Sequence, residues 1–295
     1  MSEERREERT ISRIVVLVLD SLHSAVALHS FVDAYRDRIV CVVSSESMRG
    51  FVGEGLLKET AKYLRNSGVA YLLYLSTMQI LFKPFAPLAS LIGRITGRRR
   101  RAFTLKQVCK KNCLKIVRAR NVNEPDFVRQ IADMKPDLVV LLYFDQILKA
   151  PIIATPKFGV VNTHPGLLPE NRGPAPGFWA IRMQHTEIGA AVHMINDTQI
   201  DAGPVLGTRM VERKANKSMV AVDCESMRIG TDLAIEAVRD IENGTAVPIR
   251  QDPARQRYYP HPSRQELRQF WRQGGRLFRF SEFVEQFLER PPPSN

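Results

Sequence analysis

Hydrophobic and polar positions along the chain alternate between two spacings. Ile14 to Leu19 is an unbroken apolar run ending at Asp20, the signature of a strand buried on both faces. Leu22 to Tyr35 then carries apolar residues at helical spacing, with Leu22, Ala25, Val26, Leu28, Phe31 and Val32 on one side. Ile39 to Val43 is a second β-branched run. Strand, helix and strand within some thirty residues predict a βαβ unit.

The same grammar resumes downstream. Thr104 to Asn112 reads as a helix, Leu114 to Val117 as a short strand, and Glu124 to Met134 as a helix with Asn123 as N-cap and Pro125 in its first turn. Asp137 to Tyr143, Val160 to Asn162 and Ala190 to Ile195 read as three more strands. Ser218 to Asn243 reads as one long helix, stopped by Gly244. The alternation predicts an α/β class: a doubly wound, mostly parallel sheet. Ligands of such sheets sit at the carboxyl ends of strands. The ends at Tyr143, Asn162 and Ile195 are expected on that side.

Residues 1–13 read as a disordered tail and 14–244 as the main domain. Residues 245–295, rich in Arg, Gln and aromatics, read as a small appendage that is helical around Arg264 to Trp271 and packs back on the domain. Residues 69–101 form an insert. Val69 to Phe82 is nearly all apolar, Pro84 and Pro87 interrupt it, Leu88 to Ile95 continues it, and Arg98-Arg99-Arg100-Arg101 closes it. Two readings stand: helices packed on the sheet face with a solvated Arg run, or an interfacial membrane element with a polybasic flank.

The net charge of +12 is compatible with simple solubility or with an anionic partner such as a phosphorylated substrate, tRNA or an acidic lipid surface. Cys41, Cys109, Cys113 and Cys224 form no CxxC pair, so they read as reduced thiols of a cytoplasmic protein without a zinc site. The charged start MSEERREERT lacks the apolar core of a signal peptide.

Chemistry concentrates at three polar residues that follow apolar runs. Asn162 and His164 are two apart after a strand, so their side chains share a face, and Pro165 and Gly166 open the loop beyond. Asp201 precedes Ala202-Gly203-Pro204, a tight loop that can return a carboxylate to a strand end. An amide donor, a titratable ring and a carboxylate in one place suit acyl-group chemistry: the amide holds a developing oxyanion, and the carboxylate fixes and charges the ring.

With NTHPGLLPENRG, AAVHMIND and IDAGPVLG in place, the chain resembles the folate-dependent formyltransferase family, over roughly Ile11 to Gly244. That family includes methionyl-tRNA, glycinamide ribonucleotide and sugar-amine N-formyltransferases. The resemblance implies the Rossmann-like formyltransferase fold, 10-formyltetrahydrofolate as co-substrate, a primary amine as acceptor and no metal. It implies Asn162, His164 and Asp201 as catalytic residues. It implies folate contacts at Phe144, Asp145, Gln146, Ile147 and Leu148, mostly through backbone, at Asn196, Asp197 and Ile200 around the pterin, and at Gly166, Leu167, Leu168 and Pro169 lining the cleft.

The chain departs from the family at two places. Its first βα loop, Asp20-Ser21-Leu22-His23-Ser24-Ala25, has no glycine with which to cradle a phosphate. Its tail is about half the length of the β-barrel that the tRNA enzymes carry. The expected acceptor is therefore an amino sugar or another specialised amine, such as a phosphorylated or membrane-linked one, with tRNA second. A 10-formyltetrahydrofolate hydrolase and a non-catalytic folate-binding module are the alternatives. Peripheral membrane contact through 69–101 and a homodimer are further expectations.

Overall fold

A computed structural model describes residues 9–46, 56–98 and 104–288. The expectations for the start of the tail, for Arg99 to Arg101 and for the terminal prolines fall outside the described residues. Seven strands form one sheet in the order β3-β2-β1-β4-β5-β6-β7. They are β1 (Ile14–Leu19), β2 (Ile39–Ser45), β3 (Ile116–Ala119), β4 (Leu138–Leu142), β5 (Val160–His164), β6 (Glu187–Met194) and β7 (Val205–Glu212). The first five pair in parallel, whereas β6 and β7 run antiparallel.

Period-two alternation divides the strands between two cores. Ile14, Val16 and Val18 of β1 join Val42, Leu138, Val140 and Val161 under α1 (Leu22–Tyr35) and the long C-terminal helix. Val15 and Leu17 join Cys41, Val43, Val139 and Leu141 on the opposite face, against Phe127 and Ile131. Helices cover both sides, which is why these strands read as continuous apolar runs and not as alternating ones. The sheet order reverses between β1 and β4, whose carboxyl ends are joined by a hydrogen bond from the Leu19 amide to the Tyr143 carbonyl (2.8 Å).

The remaining helices are α2 (Leu56–Asn66), α3 (Val69–Ser76), α4 (Phe85–Ile95), α5 (Leu105–Lys111), α6 (Pro125–Asp133), α7 (Ala150–Ile153), α8 (Pro176–Arg182), α9 (Met219–Asn243), α10 (Arg264–Arg272) and α11 (Phe280–Glu285). A π turn at Thr77–Leu81 continues α3. The helices of the insert pack chiefly on α8 and the C-terminal helices. Tyr71, Tyr74, Met78 and Phe82 are buried with Phe178, Trp179, Leu267, Phe270, Phe283 and Phe287.

Three expectations are corrected. The strand after the second helical segment starts at Ile116, two residues later than its apolar pattern suggests. Glu124, with extended backbone, precedes Pro125 as the α6 cap, because the Asn123 side chain is spent on the Ile147 carbonyl (2.9 Å) and the Lys149 amide (2.8 Å). Ile195 does not lie with the Tyr143 and Asn162 ends. β6 runs antiparallel to β5, so Ile195 returns to the amino end, where its amide meets the Val160 carbonyl (2.8 Å). Beyond these, β7 is a strand that the sequence reading did not name.

Candidate active site

The site is built where β5 ends. Asn162 pairs across the ladder with His193 of β6, and His164 with Ala191. The Asn162 amide nitrogen donates to His193 Nε2 at 3.0 Å and, over a longer 3.4 Å, to Asp201 Oδ1. Asp201 Oδ1 also stands 3.5 Å from His164 Nδ1 and 3.6 Å from His193 Nε2. One carboxylate oxygen is thus shared among an amide and two imidazoles. Both rings are buried.

Each ring is held in orientation by a backbone carbonyl. His164 Nε2–H donates to Asn171 O at 2.7 Å, and His193 Nδ1–H donates to Met194 O at 2.9 Å. With its Nδ1 proton so placed, His193 in its neutral form offers a bare Nε2 to the Asn162 amide, which fixes the amide's orientation. Gly166 stands against the His164 ring; a Cβ there would lie 2.8 Å from Nε2 and 2.7 Å from the Pro176 ring carbon.

Asp201 returns to the site through a loop clamped from three sides. Its own backbone has a positive φ of 51°. The Gly173 amide donates to Asp201 Oδ2 at 2.9 Å. The Arg172 guanidinium donates to the Ile200 carbonyl through Nε at 2.8 Å, and Gln251 donates to the carbonyls of Asp201 and Gly203 at 2.9 and 2.8 Å. The Arg-Gly pair of the sequence motif therefore acts on the Asp loop. Only glycine fits at 173: φ is +113°, and a Cβ would meet the Tyr259 carbonyl at 2.1 Å.

Burial alone would raise the Asp201 carboxyl pKa. The His164 and His193 rings and the Gly173 amide outweigh it and hold the group well below the usual carboxylate range. Asp201 is thus a permanent anion between two imidazoles, able to stabilise positive charge on either.

The residues implied by resemblance as folate contacts divide into three groups. Phe144 to Leu148 form the loop after β4, beyond Tyr143. Gln146 ties that loop to neighbouring strand ends, donating to Ser45 Oγ at 2.8 Å and accepting from the Val122 amide at 2.9 Å. Leu148 is buried in the core, Phe144 packs against it, and Asp145 and Ile147 face outward. Asn196, Asp197 and Ile200 are exposed on the loop leading to Asp201. Leu168 and Pro169 are buried across a cis peptide bond, while Leu167 is half-buried near Gly189 of β6.

Two features were missed in the sequence. His193 reads from sequence only as part of a strand, since a single His in an apolar run looks like a core residue. A second buried polar group lies at the β1 and β4 ends. His23 Nε2 is 3.7 Å from Asp223 Oδ2, which accepts from the Tyr74 hydroxyl at 2.8 Å, and the His23 ring packs 4.6 Å from that of Tyr143. Burial lowers the His23 pKa to about 4 and raises that of Asp223 to about 7. The glycine-free first loop has become the capped start of α1, with Ser21 and Ser24 in a capping box. Beside it, Asp20 accepts from Lys83 of the insert at 2.6 Å.

Residues 93–237 match the family model for formyl transferase. Among curated relatives, the methionyl-tRNA formyltransferase of Roseiflexus castenholzii is 32% identical over 165 residues, covering 56% of this chain and 52% of that protein. The Clostridium novyi methionyl-tRNA formyltransferase is 28% identical, covering 55% and 52%. The chain spans about half the length of the curated relatives it matches. Among solved structures, glycinamide ribonucleotide transformylase 1 from Symbiobacterium toebii superposes with a TM-score of 0.54 at 16% identity, covering 83% of this chain and 95% of that one. The N-formyltransferase of Helicobacter canadensis, solved with folinic acid and dTDP-3-aminofucose, gives 0.55 at 15% identity, covering 85% and 71%. At those identities the likeness is one of fold.

Proposed function

We propose that this chain, a member of the formyltransferase family through its residues 93–237, transfers a formyl group from 10-formyltetrahydrofolate to a primary amine at Asn162, His164 and Asp201. The observation that carries the reading is one Asp201 oxygen within 3.4–3.6 Å of the Asn162 amide and the His164 and His193 rings. The site has the donors this chemistry needs: an amide for the formyl oxygen, a ring for protons and a fixed anion behind it. The loops around 144–148 and 196–200 would hold the folate.

Bound 10-formyltetrahydrofolate would supply an activated formyl group. The Asn162 amide would stabilise negative charge growing on the formyl oxygen, giving up its long contact to Asp201 and keeping the shorter one to His193. His164 would take the proton that the attacking amine loses and pass it to the folate nitrogen as the carbon–nitrogen bond to folate breaks. Its Nε2–H now donates to the Asn171 carbonyl and its bare Nδ1 faces Asp201 Oδ1 at 3.5 Å, so proton uptake at Nε2 would require the ring proton to sit on Nδ1, against Asp201, with a substrate nitrogen in place of the Asn171 carbonyl. Asp201 would stabilise the ring while it is charged. The amine gains the formyl group and loses one proton, tetrahydrofolate gains it, and no covalent enzyme intermediate is required.

For the acceptor, we favour an amino sugar or similar amine carried on an anionic group, in keeping with the basic balance of the chain. The fold-level neighbours include an enzyme solved with an amino-sugar nucleotide. Methionyl-tRNA is the second reading, favoured by the identity of the curated relatives. The test is incubation with 10-formyltetrahydrofolate and separate amine pools, reading tetrahydrofolate release and the mass of the formylated product. Transfer to amino-sugar nucleotides supports the first reading, transfer only to methionyl-tRNA the second. Formate release without any acceptor would replace both with hydrolysis.

A further inference from the structure

The insert contains an apolar face that is exposed among the described residues. On α3 and the π turn, Tyr71, Tyr74 and Met78 point inward at spacings of three and four and are buried. Val69, Leu73 and Ile80 alternate with them and are 59%, 55% and 63% exposed. On α4, Leu88, Leu91 and Ile95 follow a three-then-four spacing that puts them on one helical face, and they are 41%, 54% and 76% exposed. A helix that is apolar on both sides, with only one side buried in its own fold, leaves a surface suited to another apolar phase. Phe280, half exposed, extends this region through an edge-on contact with Phe85 at the start of α4 (6.1 Å).

The sequence segment that forms this face is one-signed in charge. From Thr60 to Asn123 the sequence holds fourteen Lys and Arg and no Asp or Glu. The remainder of the chain therefore nets −2 against a total of +12, so the cationic excess of the molecule belongs to the insert and its flanks. Arg94 lies between Leu91 and Ile95 on α4 and is exposed, and the Arg run at 98–101 follows directly. Among the described residues, no helix is long and apolar enough to cross a membrane.

We propose that α3, the π turn and α4 form a peripheral docking surface for an anionic lipid bilayer, lying in the plane of the membrane interface. Exposed aliphatic residues sink into the headgroup boundary, while surrounding Lys and Arg meet acidic headgroups. The same charge would attract RNA, but single-stranded binding surfaces present aromatic rings for base stacking, whereas the six outward residues here are all Val, Leu or Ile. This inference does not depend on formyl transfer, which is read by a different assay.

The test is co-sedimentation of the full chain with phosphatidylcholine vesicles, with and without phosphatidylglycerol, at about 0.1 M and about 0.5 M salt. The expected result is partitioning onto the anionic vesicles at low salt, at least ~10-fold weaker on neutral vesicles and weakened again at high salt. The double variant L73E/L91E, changed only at exposed positions, is expected to lose binding at least ~10-fold with an unchanged unfolding transition. Replacing Arg98 to Arg101 with Gln gives a second variant with the same expected direction, and it decides the matter should the first unfold. Absence of vesicle binding, binding that neither variant weakens, binding to tRNA but to no vesicle, or a dimer that L73E/L91E dissociates without any lipid binding would each overturn the proposal.

Discussion

At Asp201 a single oxygen meets the Asn162 amide and two imidazoles, and the residue's own positive φ shows how tightly the loop is set. The anion is stabilised in the fold, so its contribution to stability is present above the ordinary carboxylate pKa of about 4 and is lost as pH falls through the lower folded value. Asp201→Asn should therefore flatten the acid limb of a Tm-against-pH curve. In a formyl-transfer assay the same variant should lower kcat by about 10²–10⁴-fold, the range for positioned proton transfer. Gly173→Ala tests the clamp: a Cβ against the Tyr259 carbonyl, at a φ that favours glycine, should cost more than about 1 kcal/mol in urea unfolding. A cost near zero would mean that the Arg-Gly turn does not set the Asp loop. Asn162, His164 and Asp201 were legible because their flanking Pro, Gly and LLP residues are distinctive. His193 was not, because nothing local separates a site histidine from a core one.

The elements were legible in proportion to how much their burial shows in one-dimensional pattern. β1 and β4 are covered on both faces and read as unbroken apolar runs, and α9 ends at Gly244 in the left-handed conformation its sequence announces. β7 escaped because its exposed face carries Thr208, Met210 and Glu212 and its other face includes Gly207 and Arg209, so no apolar run marks it. The direction of β6 escaped because strand polarity is set by the return of the chain, not by local spacing. Between α1 and α9, the buried His23 and Asp223 give opposed pH responses. His23, lowered to about 4, stays neutral in the fold, so acidification from about 6.5 towards 4 destabilises. Asp223, raised to about 7, holds its proton in the fold, so raising pH from about 4 through 7 destabilises. Asp223→Asn removes the second arm. Its stability relative to the unaltered protein should rise between pH 5 and pH 8, by on the order of a few kcal/mol. A pH-independent difference would contradict a protonated Asp223.

Across the whole molecule, the sheet and the insert are built around different cores. The sheet order reverses between β1 and β4, and Asn162, His164 and Asp201 gather at β5 beside that point, as ligand sites in doubly wound sheets do. The insert and the C-terminal helices instead build a second core around Phe178 and Phe270. Motif spacing could anticipate the first arrangement, since a few residues near strand ends determine it. It could not anticipate the second, which depends on aromatic residues some two hundred positions apart.

The most direct measurement of the central claim is tetrahydrofolate release from 10-formyltetrahydrofolate across a panel of amines, with the formylated product weighed by mass spectrometry. Tetrahydrofolate and formylated amine are expected in equal amounts with at least one amine, and both are expected to be lost in a folded His164→Ala variant. Tetrahydrofolate release that His164→Ala leaves unchanged, or no release with any amine, would contradict the claim.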